Sequence, residues 1–156
     1  MSETPESVVR RLIEEGFNEG NLDVAEQVTS PEAVEHQSFG PNHPGGAEGV
    51  KAVITSLRRA FSDFHLEIRD VTVDGEKVWL RMVGTGTNDG SFMGNPPTGR
   101  HMRTDVFDVC RVADGRIVEH WGVPDRLGAL FQLGLAQPPA PRAHAQPQSG
   151  SSGAES

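Results

Sequence analysis

The chain has 156 residues, a length that fits one domain around a single core. Acidic residues outnumber basic ones by 22 to 14, for a formal net charge of -8, so a polyanion such as nucleic acid is repelled rather than gathered. The lone Cys excludes an internal disulfide and a four-thiolate zinc site, and no apolar run approaches the roughly 20 residues of a membrane helix, so a soluble, cytoplasmic protein is expected.

Thr4-Pro5-Glu6 is a helix start, and Val8, Val9, Leu12, Ile13 and Phe17 follow at helical spacing until Gly20. Asn21 to Val28 reads as a second short helix, broken by Ser30 and Pro31, and a loop rich in Gly and Pro runs from Ser38 to Gly46. Val50, Val53, Ile54, Leu57, Phe61 and Phe64, spaced by three and four, predict a third helix ending near Phe64. The period then becomes two. Leu66 and Ile68, then Val71 and Val73 after a break of phase at Asp70, lead into Asp74-Gly75 and a return strand from Lys77 to Val83.

Gly84 to Arg100, with Asn95-Pro96-Pro97-Thr98-Gly99, reads as a long connection, its Gly84-Thr85-Gly86-Thr87 start suiting a bend in the sheet rather than a phosphate loop. Met102 to Val112 and Ile117 to Val123 form a second hairpin across Asp114-Gly115, and Arg126 to Leu133 is a last short helix before Gly134. Beyond Leu135, Ala136 to Ser156 is rich in Pro, Ser, Gln and Ala and poor in large apolar side chains, so a domain over 5–135 with a disordered tail is expected. Helices followed by antiparallel hairpins argue for an α+β fold, helices packed on one face of a curved sheet around a pocket.

With Asp114 and Gly115 as the turn, simple pairing sets Val112 opposite Ile117, Cys110 opposite Glu119, Asp108 opposite Trp121, Val106 opposite Val123 and Thr104 opposite Asp125. Asp108 and Asp125 then share a face with Val106, Val123 and Trp121, and a partly desolvated carboxylate there is a candidate proton acceptor. Asp125 also directly precedes the last helix, where Asp is a favoured N-cap, and Asp108 has Arg100, Arg103 and Arg111 as possible partners. A bulge in either strand would change which residues share the face. None of the six histidines falls at a metal-binding helical spacing, so no metal is expected. His36 lies before the glycine-rich loop, where it could face a pocket, and His101 and His120 are strand residues; Cys110, mid-strand, reads as a buried structural thiol.

Gly94-Asn95-Pro96-Pro97-Thr98-Gly99-Arg100, Phe107-Asp108-Val109 with Arg111-Val112, Asp114 to Trp121, Asp125 and Gln132-Leu133-Gly134 occur together in order, preceded by Asn21-Leu22-Asp23 and His36. This set resembles the SnoaL-like polyketide cyclases, also called ester cyclases, over roughly residues 7–135. The resemblance implies a cone-shaped fold like that of nuclear transport factor 2, a homodimer, and a cofactor-free intramolecular aldol ring closure on an apolar, carbonyl-rich small molecule. It implies Asp125 as general acid/base; Asp108, His36 and His120 stand beside it as further catalytic candidates, and Phe17, Phe61, His101, Val106, Trp121 and Val123 as candidates for the substrate wall. Two departures stand out: Asn88 replaces the His that members often carry after Gly-Thr-Gly-Thr, and there is no Tyr to stabilise an enolate. The rival readings are an epoxide hydrolase or hydratase of the same fold, built on Asp105, Arg103 and Asp108, and a non-catalytic module that binds a small molecule.

Overall fold

A computed structural model describes residues 3–142, so most of the tail expected beyond Leu135 lies outside the described residues. Helix α1, Pro5–Arg11, is capped by Thr4, whose Oγ1 accepts from the Ser7 amide at 3.1 Å, and it passes directly into a π-helical segment, Leu12–Asn18. Helix α2, Leu22–Val28, starts at Asn21, whose side chain accepts from the Asp23 amide at 3.2 Å. The expected break at Ser30 and Pro31 is instead a strand, β1, Thr29–Glu35. It lies at the sheet edge, where a proline that cannot donate to a ladder is tolerated.

Helix α3, Gly46–Ala60, ends earlier than the apolar stripe suggests, because Phe61 is already extended at φ -138. Phe61 and Phe64 still pack together, with centroids 6.5 Å apart. Strands β2, His65–Asp74, and β3, Lys77–Thr87, form the first hairpin, with a bulge between Ile68 and Asp70 where the alternation breaks phase. Asp74 pairs with Lys77, which moves the turn one residue on from Asp74-Gly75 to Gly75-Glu76. The Gly-Thr-Gly-Thr run continues β3, and Gly86 is needed there: a Cβ would stand 2.9 Å from that of Phe61.

Strands β4, His101–Ala113, and β5, Arg116–Pro124, turn at Asp114-Gly115, both with positive φ as a tight two-residue hairpin requires. Helix α4, Arg126–Leu133, lies against β4 and ends at the left-handed Gly134. Its Gln132 side chain extends the strand ladder, accepting from the Arg103 amide at 2.7 Å and donating to the Arg103 carbonyl at 2.9 Å.

The five strands form one curved sheet in the order β1-β5-β4-β3-β2, antiparallel except for the β1–β5 pair. Val8, Val9, Val24, Val28 and Ile54 from the helices meet Val78, Leu80, Met82, Val112 and Ile117 from the sheet to form the core. Between helices and sheet a cavity of about 900 Å³ remains open, walled by Phe17, Leu57, Phe64, Leu80 and Met102 among others. Phe92 and Met93, from the 88–100 connection that hangs on Asn88, line it as well. That fully buried amide donates to the carbonyls of Ala60 and Gly90 and accepts from the Thr98 amide and hydroxyl, which accounts for an amide rather than an imidazole there. Among the described residues no helix is long and apolar enough to cross a membrane.

Candidate active site

The second hairpin decides the site, and its register departs from simple pairing. Val112 does pair with Ile117, but the ladder slips before Arg111, which pairs with Glu119 and leaves Val118 as an extra residue. Cys110 then faces His120, Val109 faces Trp121, Asp108 faces Gly122 and Phe107 faces Val123. One inserted residue reverses the alternation downstream. Trp121 and Val123 therefore leave the face of Asp108 for the outer surface, and His120 takes their place inside.

The inner face presents a half-buried triad. His120 Nδ1 stands 2.7 and 2.9 Å from the two carboxylate oxygens of Glu35, and Nε2 stands 3.3 Å from Asp108 Oδ2. Burial by itself would depress the imidazole, but the Asp108 and Glu35 carboxylates outweigh it and raise the His120 pKa from 6.5 to about 9. The ring is an imidazolium at neutral pH, with a proton on each nitrogen. Asp108 uses one oxygen on this cation, while its buried Oδ1 has no hydrogen-bond partner in the protein. Both Asp108 and Thr29, whose Oγ1 is likewise buried and unpaired, line the cavity. Such groups need a partner, and one is supplied if a ligand hydroxyl or acidic hydrogen enters.

Gly122 makes room for this arrangement. A Cβ there would stand 2.1 Å from Gln37 Oε1 and 2.9 Å from Asp108 Oδ1. Cys110, next along the inner face of β4, is a free buried thiol whose pKa is pushed well up by burial first and by Asp108 and Glu35 second. It is not the nucleophile of this site.

Asp125 borders the cavity but is exposed and engaged as the N-cap of α4, Oδ1 accepting from the Gly128 amide at 2.9 Å. Val106 and Phe17 line the cavity. The other expected site residues are placed elsewhere. His36 is on the outer surface, stacked on Trp121 with centroids 4.7 Å apart and bonded through Nε2 to Glu119 at 2.9 Å. Val123 is 70% exposed, His101 is an exposed residue beside Thr87, and Phe61 is wholly buried behind the cavity wall. Arg103 and Asp105 alternate out of phase with Asp108 and are exposed, so the Asp–Arg–Asp set of an epoxide hydrolase is not brought together. Glu35 and Gln37 were not legible as site residues, because β1 itself was not. One signal did exist: Val-Glu-His occurs twice, at Val34–His36 and at Val118–His120.

A curved five-stranded sheet packed around helices, with a cavity between them, is the nuclear transport factor 2-like fold of the SnoaL-like cyclases. The chain belongs to the SnoaL-like polyketide cyclase family, whose model matches residues 7–133. It is 34% identical over 137 residues to aklanonic acid methyl ester cyclase DnrD of Streptomyces peucetius, covering 84% of this chain and 91% of the relative. The nogalonic acid methyl ester cyclase of Streptomyces nogalater is 26% identical over 76% of this chain and 89% of its own. Among solved structures, wild-type IdmH of Streptomyces antibioticus superposes with a TM-score of 0.73 at 34% identity, covering 85% of this chain and 99% of that one. TsrD of Streptomyces laurentii gives a TM-score of 0.75 at 29% identity, covering 86% and 100%.

Proposed function

We propose that the chain is a cofactor-independent cyclase that closes a carbocycle by intramolecular aldol reaction on an apolar polyketide methyl ester. The observation that carries this reading is the free Asp108 Oδ1 on the cavity wall, backed by the His120 imidazolium. Asp108 accepts the proton from a carbon flanked by an ester and a ketone, and conjugation within the substrate spreads the enolate charge. That carbon attacks a second carbonyl of the same molecule. The alkoxide oxygen takes a proton from His120, and the proton on Asp108 then restores the imidazolium, so product and substrate are isomers of equal mass. Asp125, already committed to a helix cap, is not the base in this scheme.

A homodimer in the cytoplasm completes the reading. Trp79, Phe107 and Val123 are 51%, 54% and 70% exposed on the outer face of neighbouring strands, an apolar patch that a second copy of the same sheet would cover. Sedimentation giving a 16.8 kDa species at micromolar concentration would reject the dimer.

The test of function is incubation with an aromatic polyketide methyl ester bearing a β-keto ester side chain, followed by chromatography and mass measurement. A new product of unchanged mass, formed by the wild type and lost in Asp108→Asn, is the expected result. Ring closure at the wild-type rate by a folded Asp108→Asn protein would overturn the assignment.

A further inference from the structure

Glu35 reaches His120 from a different strand. Its residue pairs with His120 across the parallel β1–β5 ladder, and the His36 amide locks that register by donating to the His120 carbonyl at 2.9 Å. The Glu35 carboxylate is itself fixed, since Oε1 accepts from the Gln37 amide at 2.8 Å as well as from His120 Nδ1 at 2.7 Å. With side chains 18% and 20% exposed, neither partner has room to drift into solvent. The groups facing this imidazole are Glu35 from β1 and Asp108 from β4, with Cys110 opposite it in the β4 ladder.

We infer that Glu35 is a positioning residue, holding His120 Nδ1–H so that Nε2–H is presented to Asp108 and to the oxygen that becomes an alkoxide. This rests on the cyclase reading above. The logic is that of a buried carboxylate orienting an imidazole: one nitrogen is bound, and the other is thereby directed and kept protonated. The raised His120 pKa of about 9 agrees with the two-carboxylate cradle. Glu35 lies one residue from an exposed His-Glu pair of the same composition, so the proposal is specific to the inner side chain and not to the dipeptide.

The experiment uses the full chain as wild type, Glu35→Gln and Glu35→Asp. Nitrogen-15 NMR of the labelled imidazoles follows His120 with no substrate present. Glu35→Gln is expected to lower the His120 midpoint by about one unit or more, because a neutral amide replaces the charge, and Glu35→Asp to restore part of it. In turnover, Glu35→Gln is expected to lower kcat by roughly 10- to 100-fold with KM little changed, and to move the alkaline limb of the pH profile down with the NMR midpoint. An unchanged His120 midpoint in a folded Glu35→Gln protein overturns the proposal, as does a kcat loss with no movement of the pH profile. Should Glu35→Gln not fold, a Glu35→Asp midpoint below that of wild type, with kcat lowered and KM unchanged, supports it, and a wild-type midpoint or a shifted KM alone overturns it. Because the NMR arm needs no substrate, a wild type that closes no ring overturns the cyclase reading separately.

Discussion

Two histidine–glutamate pairs sit back to back across the β1–β5 ladder. Inside, Glu35 of β1 holds His120 of β5; outside, His36 just after β1 holds Glu119 of β5, at 2.9 Å. Residue types, distances and strands match, and the two dipeptides run in the same Glu-His order, offset so that the partners cross. The surroundings differ. The inner imidazole is half-buried on the cavity wall, has a second carboxylate near its far nitrogen, and is pushed up to about 9 by the two carboxylates. The outer pair is open to water: the Glu119 carboxyl is held below its usual range by hydrogen bonds from His36 first and Arg111 second, and Trp121 is stacked on the His36 ring. The same contact is thus part of a charged cluster on the cavity wall on one face and a surface ion pair on the other, and burial and a second charge decide what such a hydrogen-bonded pair is worth.

The largest expected effect that separates the faces is on turnover. Asp108→Asn should cost roughly a hundredfold to ten-thousandfold in kcat, whereas His36→Ala should leave kcat within about twofold, as read from steady-state rates on one substrate. Equal losses would erase the distinction. Next comes pH. Because the folded pKa of His120 lies above 6.5, its contribution to stability is complete below about pH 6.5 and is lost as pH rises through about 9. Urea unfolding should register a decline on the order of 3 kcal/mol across that window, which Glu35→Gln and Asp108→Asn each reduce. A flat profile would count against an enclosed imidazolium.

Smaller effects sharpen the boundary. Asp125→Ala should lose roughly 0.5 to 2 kcal/mol by thermal or urea unfolding, while Asp125→Asn, which still caps, should keep both stability and most of the turnover. A hundredfold rate loss in a stable Asp125→Asn protein would return the base to that position. Smallest of all, Glu119→Gln on the outer face should move the thermal midpoint least of these variants, and addition of salt should shrink even that.

The helices, the two hairpins and the Asp114-Gly115 turn were legible because each is written locally, in spacing, caps and turn residues. The site was only half legible. Asp108 and His120 were visible as strand residues, but no local pattern places Val118 as an extra residue: Ile117, Glu119, Trp121 and Val123 alternate as plausibly as Val118, His120, Gly122 and Pro124. Only the packing of β5 between β1 and β4 selects one phase before the bulge and the other after it. Glu35 was hidden for another reason, since Pro31 argues against a strand unless that strand lies at an edge, and edge position is a property of the whole sheet. Asp125 was read both ways, as base and as cap, and the short helix that follows it shows the cap.

Asn88 ties one wall of the cavity to the foundations of the domain. One amide serves the last residue of α3, the turn at Gly90 and the return of the chain at Thr98, so the connection that carries Phe92 and Met93 and the end of the helix share a single keystone. A lineage seeking to admit bulkier molecules cannot reshape this connection at Asn88 without unfastening the end of α3. Phe92 is held too, edge-on to Phe61 with centroids 5.2 Å apart, so Met93, 61% exposed on the same connection, is the side chain with room to change size while the frame stays put.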